Sequence, residues 1–294
     1  MKRLRKCNRR QFLKGLSTFA TLSVAPRLSF AKAKTIRFGV TPAFLHDRHS
    51  VLEKWRLYLT QHIGQEVEFI RRDSYRETMD MIRLNQLDFA WICDYPYLRL
   101  QNIVKLLTVP LYRGRPAYRS YLVVKKTDNV TEGYLDLKGK VFAYADPYSN
   151  TGYLSPRYEI KKLGYQPRDF FKKTFFTRSH RKVIEAVAIG LADAGAVDSY
   201  IWDSLESVEP ELTGKTRIVW QSEDHGFPPI VAHRKNVNET AFFKMQKVLL
   251  DMPSTLEGQE ILTLLGLDGF SVQELSLYDS VAEMMRSFGE GTAR

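Results

Sequence analysis

Apolar residues recur along this chain in two alternating rhythms, one of period two and one near 3.6. Residues 35–40, Thr-Ile-Arg-Phe-Gly-Val, alternate and are β-branched, which predicts a strand. Residues 50–63 carry Val51, Leu52, Trp55, Leu59 and Ile63 at helical spacing, and Gly64 ends the run. A second strand is predicted at 67–70. Ser74 then caps a helix to about Asn85, with Glu77 at capping-box distance, and a third strand covers 88–92. The order βαβαβ predicts an α/β fold with a largely parallel sheet.

The pattern then repeats. Residues 118–126 form a long strand of alternating Tyr and Val, and strand 141–144 leads through the loop 146–151 into a helix over 152–163. Strand 175–176, a helix from His180 to about residue 189, and a small-residue strand at 193–197 complete a second α/β unit. Strands at 217–221 and 229–233 and helices near 242–249, 255–265 and 277–287 come after it. Long strands rather than a Gly/Ser linker join the units, at 118–126 and 217–230. The expectation is two lobes, the first from 34–121 and 220–294 and the second from 122–219, with a ligand cleft between them that closes about a hinge.

Charge changes this picture less than its size suggests. The chain has 44 Lys+Arg against 33 Asp+Glu, a net of +11, which taken whole would invite a nucleic-acid or anionic-membrane partner. Residues 1–33 hold nine of those basic residues and no acid, and residues 34–294 carry only +2. The basic segment has a charged start, a short apolar run near 16–25 and small residues at 29–33, the plan of an export signal. Asn8-Arg9-Arg10-Gln11-Phe12-Leu13-Lys14 resembles the twin-arginine consensus, which implies passage through the Tat translocase to the periplasm and cleavage near residues 31–33. No nucleic-acid partner is expected. Cys7 precedes the apolar run and leaves with the signal, so Cys93 alone remains and no intramolecular disulfide can form.

Motifs for catalysis are missing. Gly214-Lys215-Thr216 ends like a phosphate loop, but Glu209 stands where its first glycine belongs. There is no GxSxG or GxGxxG, and His46 and His49 have no third ligand at metal spacing. No cofactor, metal or enzymatic activity is expected. What stands out is Asp146-Pro147-Tyr148-Ser149-Asn150-Thr151-Gly152, a strand end followed by three small polar residues before a helix. One such residue suffices for N-capping; three in a row, with a glycine behind them, also suit an anion held by hydroxyls and helix-terminal amides.

With Leu137-Lys138-Gly139-Lys140, Leu154 and Pro156, this stretch resembles the phosphate/phosphite/phosphonate solute-binding proteins of ABC importers. The likeness extends to residues 74–77, 87–91, 118–125, His180, 193–198 and 229–231 in the same order. It implies the type II periplasmic-binding fold and an oxyanion site at Tyr75, Tyr118, Ser149, Asn150, Thr151 and His180. Two departures bear on the ligand. Asn150 replaces a hydroxyl residue, and Tyr200 and Pro228 stand where aminoalkylphosphonate binders place acids, so a smaller oxyanion is expected. Cys93, at the end of a strand, is either a small buried hydrophobe or a soft ligand suited to arsenite. Tyr95 beside it lines the pocket or packs between lobes. The expected function is periplasmic oxyanion capture for an ABC permease. The alternative is a sensing subunit, for oxyanion or arsenite, that signals to a membrane histidine kinase.

Overall fold

The computed structural model describes residues 34–41 and 49–291. The expected export signal, Cys7 and His46 lie outside the described residues.

The first lobe begins β1 (Ile36–Val40), α1 (His49–Ile63), β2 (Val67–Arg71), α2 (Tyr75–Arg83), β3 (Phe89–Trp91), α3 (Asp94–Leu100) and β4 (Val104–Leu111). Ser74 caps α2 as the sequence predicts, its Oγ accepting from the Glu77 N–H at 3.2 Å, and the Glu77 carboxylate accepts from the Asp73 N–H at 3.0 Å. The chain crosses through β5 (Ala117–Tyr118) into the second lobe: β6 (Ser120–Lys125), β7 (Val141–Tyr144), α4 (Ser155–Lys162), α5 (Pro167–Phe170) and β8 (Lys173–Phe176). That lobe continues with α6 (His180–Ala188), β9 (Ala194–Asp198), α7 (Ser199–Val208), α8 (Pro210–Thr213) and β10 (Thr216–Gln221). It returns through β11 (His225–Gly226) to β12 (Ile230–His233), α9 (Glu239–Leu250), α10 (Leu256–Leu265), β13 (Gly269–Ser271) and α11 (Asp279–Ser287).

Two sheets result. One runs β13-β4-β12-β3-β1-β2 and the other β10-β6-β9-β7-β8. Each has a parallel half, with β1 between β2 and β3 and β7 between β8 and β9, and an antiparallel half. The largely parallel sheet expected from the sequence is therefore mixed in both lobes. The reason is connectivity: β12 returns beside β3, and β4 pairs with β12 and β13, all antiparallel. The sequence reading placed no element at β4, because its apolar run, Val104 to Leu111, contains Lys105 and Pro110.

The strand expected over 118–126 is broken at Arg119. Tyr118 pairs with His225 in a two-stranded ribbon, whereas Ser120 already pairs with Asp198 in the second sheet. β6 and β10 belong wholly to that sheet, so the sheets part at 112–119 and 222–229. The divisions expected at 121/122 and 219/220 fall inside β6 and β10.

Apolar faces hold each sheet to its helices. Trp55 on α1 meets Phe38 and Trp91 edge-on, with ring centroids 5.6 and 5.8 Å apart, and all three are fully buried. On the second sheet, Leu122, Phe142, Ile160 and Phe170 form one core, while Val183 and Val187 of α6 pack on the other face. There α6 lies so close to β9 that a Cβ on Gly195 would sit 2.3 Å from Val183 Cγ1 and 3.1 Å from the Ala143 carbonyl oxygen. Gly195→Ala is therefore expected to destabilise the protein by about 1–3 kcal/mol through overpacking, read as a lower urea midpoint. An unchanged midpoint would show that α6 can shift freely on this sheet.

Candidate functional site

The parallel halves of both sheets end at the junction of the lobes, and the chain turns there into helices. β3 runs out into Cys93 and α3, and β2 leads to Tyr75 at the start of α2. β7 leads to Ser149, β8 to His180 at the start of α6, and β9 ends at Asp198, which caps α7. Tyr118 comes from the crossing ribbon. These side chains meet, and none is more than 3% exposed.

The segment after β7 is wound more widely than an α-helix. Leu154 N–H donates to Ser149 C=O (3.1 Å) and Ser155 N–H to Asn150 C=O, so residues 150–154 make a π-helical turn before α4 begins. A helix was expected from residue 152. The Ser149 Oγ caps the turn by accepting from the Gly152 N–H at 3.0 Å. Gly152 is needed because the protein itself approaches: a Cβ there would lie 2.5 Å from Ala145 Cβ and 2.9 Å from His180 Cε1.

His180 is held in one protonation state. The Asp198 N–H donates to its Nδ1 at 3.1 Å, so Nδ1 is unprotonated and the proton sits on Nε2. That Nε2–H faces the Tyr75 hydroxyl at 3.4 Å and Ser149 Oγ at 3.3 Å. Burial lowers the His180 pKa to about 3. His180 is therefore a neutral donor.

Asp94 lies at the centre. Its Oδ1 accepts from the Tyr95 N–H (2.8 Å), the Tyr118 hydroxyl (3.0 Å) and the Cys93 thiol (3.0 Å), and its Oδ2 accepts from Asn150 Nδ2 (2.8 Å). Burial raises its pKa to about 6 against the pull of those donors. Asp198 is raised further, to about 8, by burial and then by the charges of Asp94 and Asp203, although the Ile201 and Tyr200 N–H groups oppose the shift. Burial also holds Tyr75, Cys93 and Tyr118 well above their ordinary values, so all three keep their protons. Thr151 Oγ1, Asn150 Oδ1 and Asp146 Oδ2 are buried here with no hydrogen-bond partner among the described residues. Among the described residues no cluster of His, Cys, Asp and Glu is built to hold a metal ion.

The structure thus brings together Tyr75, Cys93, Tyr118, Ser149, Asn150 and His180, and Thr151 follows Asn150 in the π-helical turn with its side chain buried. Tyr95 and Tyr200 differ. Tyr95 reaches the cluster only by its main-chain N–H, since its hydroxyl donates to Glu290. The Tyr200 hydroxyl donates to the Leu265 carbonyl at 2.5 Å, and its ring packs on Phe227, which in turn packs on Tyr118. Sequence reasoning missed Asp94 and Asp198. Asp94 is the first residue of α3 and Asp198 the N-cap of α7, places where a carboxylate ordinarily serves the helix end, so only their burial marks them out.

A family model described as the periplasmic substrate-binding protein of phosphonate ABC transporters matches residues 38–278. The phosphonates-binding periplasmic protein of Escherichia coli K12 is 25% identical over 255 residues, covering 83% of this chain and 73% of that protein. The binding component of an ABC phosphonate transporter from Pseudomonas aeruginosa superposes with TM-score 0.78 at 22% identity, covering 85% of each chain. PhnD1 of Prochlorococcus marinus, solved with methylphosphonate, superposes with TM-score 0.77 at 22% identity, covering 87% of this chain and 99% of that one. These likenesses show the fold to be the two-lobed type II periplasmic-binding architecture.

Asp198 offers a test of the site's electrostatics. Its pKa is raised on folding, so its contribution to stability is full below the unfolded value and is lost as pH rises towards about 8. Asp198→Asn keeps a capping side chain but cannot ionise. Its urea midpoint is expected to exceed that of the wild type by a margin that widens from about pH 5 to about pH 8. A margin that stays constant would mean that Asp198 is not held protonated.

Proposed function

The chain belongs to the periplasmic substrate-binding proteins of phosphonate ABC transporters, and from that premise we propose that it captures a small tetrahedral oxyanion and hands it to an ABC permease. The candidates are phosphate, phosphite and a small phosphonate. The proposed site is Tyr75, Tyr118, Ser149, Asn150, Thr151 and His180. One observation carries the reading: neutral donors from both lobes converge in an enclosed cluster, and the buried hydroxyl of Thr151, next to Asn150 in the chain, has no partner among the described residues. A buried hydroxyl left unpaired is costly, and an oxyanion oxygen would satisfy it.

The same geometry links binding to closure. Tyr75 meets His180 at 3.4 Å and Asp94 meets Asn150 at 2.8 Å, in each case with one partner from each lobe. A ligand that engages both sets favours the closed arrangement, because only that arrangement makes both. A permease can then recognise loaded protein by its closed shape. The protein's work in this reading is capture and delivery, with no bond made or broken. Export by the Tat route and cleavage near residues 31–33 belong to the same proposal; N-terminal sequencing of periplasmic protein should begin close to Lys34, and a retained Met1 would refute it.

Cys93 supports a second reading. Its thiol lies inside the cluster, 3.0 Å from Asp94 Oδ1 and 3.7 Å from the Tyr118 hydroxyl, where a thiophilic oxyanion such as arsenite would meet it. A protein of that kind would report to a membrane histidine kinase instead of a permease. Arsenite binding that survives Cys93→Ser unchanged would remove this reading.

The main proposal predicts that phosphate, phosphite or methylphosphonate raises the melting temperature by mass action. Thr151→Ala and His180→Ala should each weaken binding about ten- to a hundredfold in calorimetry, as expected for one lost hydrogen bond to a charged ligand. If no oxyanion shifts the melting temperature, or both variants bind as the wild type does, the assignment is wrong.

A further inference from the structure

The lobes also meet away from the ligand cluster, through the last helix. α11 is rooted where the sheets part. The Tyr278 hydroxyl, just before it, donates to the Phe227 carbonyl oxygen at 3.0 Å, and the Tyr278 ring meets Tyr97 of α3 edge-on at 5.1 Å. Ser280 Oγ lies 3.3 Å from His225 Nδ1, and a Cβ on Gly226 would sit 2.8 Å from the Leu277 carbonyl oxygen. His225, Gly226 and Phe227 all belong to the crossing segment 222–229. Val281, Met284 and Met285 then bury one face of α11 in the first lobe.

The other end lands on the second lobe. Nine residues carry α11 about 14 Å from its root, at about 1.5 Å per residue. There the Arg157 guanidinium of α4 lies over two rings, 4.1 Å from the Phe288 centroid and 4.6 Å from that of Tyr153. Lys161 Nζ donates to the Ser287 carbonyl oxygen and lies 5.1 Å from the Phe288 ring, and the Tyr158 hydroxyl donates to Glu283 Oε1 at 3.4 Å. A cation of one lobe thus meets the negative end of a helix from the other. Past the helix the chain turns back, the Glu290 N–H donating to the Met285 carbonyl oxygen at 3.0 Å. The Glu290 carboxylate accepts from Arg99 Nη1 at 2.8 Å and from the Tyr95 hydroxyl. Arg99 in turn lies 5.9 Å from the ring centroid of Tyr148, the neighbour of Ser149 in the second lobe.

Rotation about 112–119 and 222–229 leaves the root of α11 in place but carries α4 away from its tip. The contacts of Arg157 and Lys161 with residues 287 and 288 therefore belong to the closed arrangement alone. Resting on the oxyanion reading and the closure described above, we infer that α11 and its tail to Glu290 form a strap that holds the lobes shut and sets how long a ligand is retained. Arg157, Lys161 and Phe288 have no part in the proposed oxyanion site. They act on affinity through the closed state, since ligand leaves only after the lobes open.

Stopped-flow and calorimetric measurements on the full chain, with phosphate and methylphosphonate as probes, test the strap in Arg157→Ala, Phe288→Ala and the double variant. Each single variant should release ligand about three to ten times faster and bind it correspondingly more weakly, with the association rate within about twofold of the wild type. The double variant should lose little more than the worse single one, within about twofold, because both changes remove the same contact. Wild-type release rates in both single variants would overturn the strap and leave the oxyanion reading standing. If neither anion binds the wild type, the oxyanion reading falls, and crosslinking then decides the strap without ligand. A short bismaleimide should join the cysteines of a Tyr158→Cys, Glu283→Cys protein, in which Cys93 is buried. Adding Phe288→Ala should slow that reaction at least about threefold, because its rate follows the closed population. An unchanged rate would overturn the strap.

Discussion

A buried carboxylate with no Lys or Arg partner among the described residues joins the two lobes of this protein, through the 2.8 Å bond from Asn150 Nδ2 to Asp94 Oδ2. Away from water, such a group is tolerable only when donors surround it, because its lost hydration must be replaced. Much local geometry answers that requirement. β3 must end where Cys93 and the Tyr95 N–H can turn back on Asp94, and the break at Arg119 leaves Tyr118 in the ribbon, free to point inward. The π-helical turn presents Asn150 and Thr151 before the regular helix begins.

The side-chain donors of the centre are neutral groups. His180 is fixed as a neutral donor by one backbone N–H, and burial keeps the tyrosines and Cys93 protonated. In the proposed reading, anion affinity does not come from positive charge. It comes from donors fixed in advance, which need no reorganisation when the ligand arrives. This agrees with the near-neutral balance of the chain beyond residue 33, and it explains why a carboxylate can be present at all.

Much of the fold was legible because its signals are local. The helix at 50–63, the Ser74 cap and the small-residue strand before Asp198 arise from spacing and capping chemistry within a few residues. The Ser149-Asn150-Thr151 loop was visible as three small polar residues between a strand and a helix. The mixed order of the sheets was not, since β12 reaches its place beside β3 from about 140 residues away and no local pattern encodes that distance. Asp94 was overlooked for a similar reason. A carboxylate at the first position of a helix is ordinary, and only the Asn150 and Tyr118 brought against it make it unusual.

The sequence by itself determined most of the elements, the two α/β units, the export-like basic segment and the residue types available to hold an anion. Each of these depends on periodicity, composition or neighbours along the chain. Tertiary structure alone decided which of those residues meet. It sent the hydroxyls of Tyr95 and Tyr200 to Glu290 and the Leu265 carbonyl, put the proton of His180 on Nε2, and buried Asp94 among four donors. Protonation and burial are properties of an enclosed space, and that space exists only once two distant stretches of chain have closed around it.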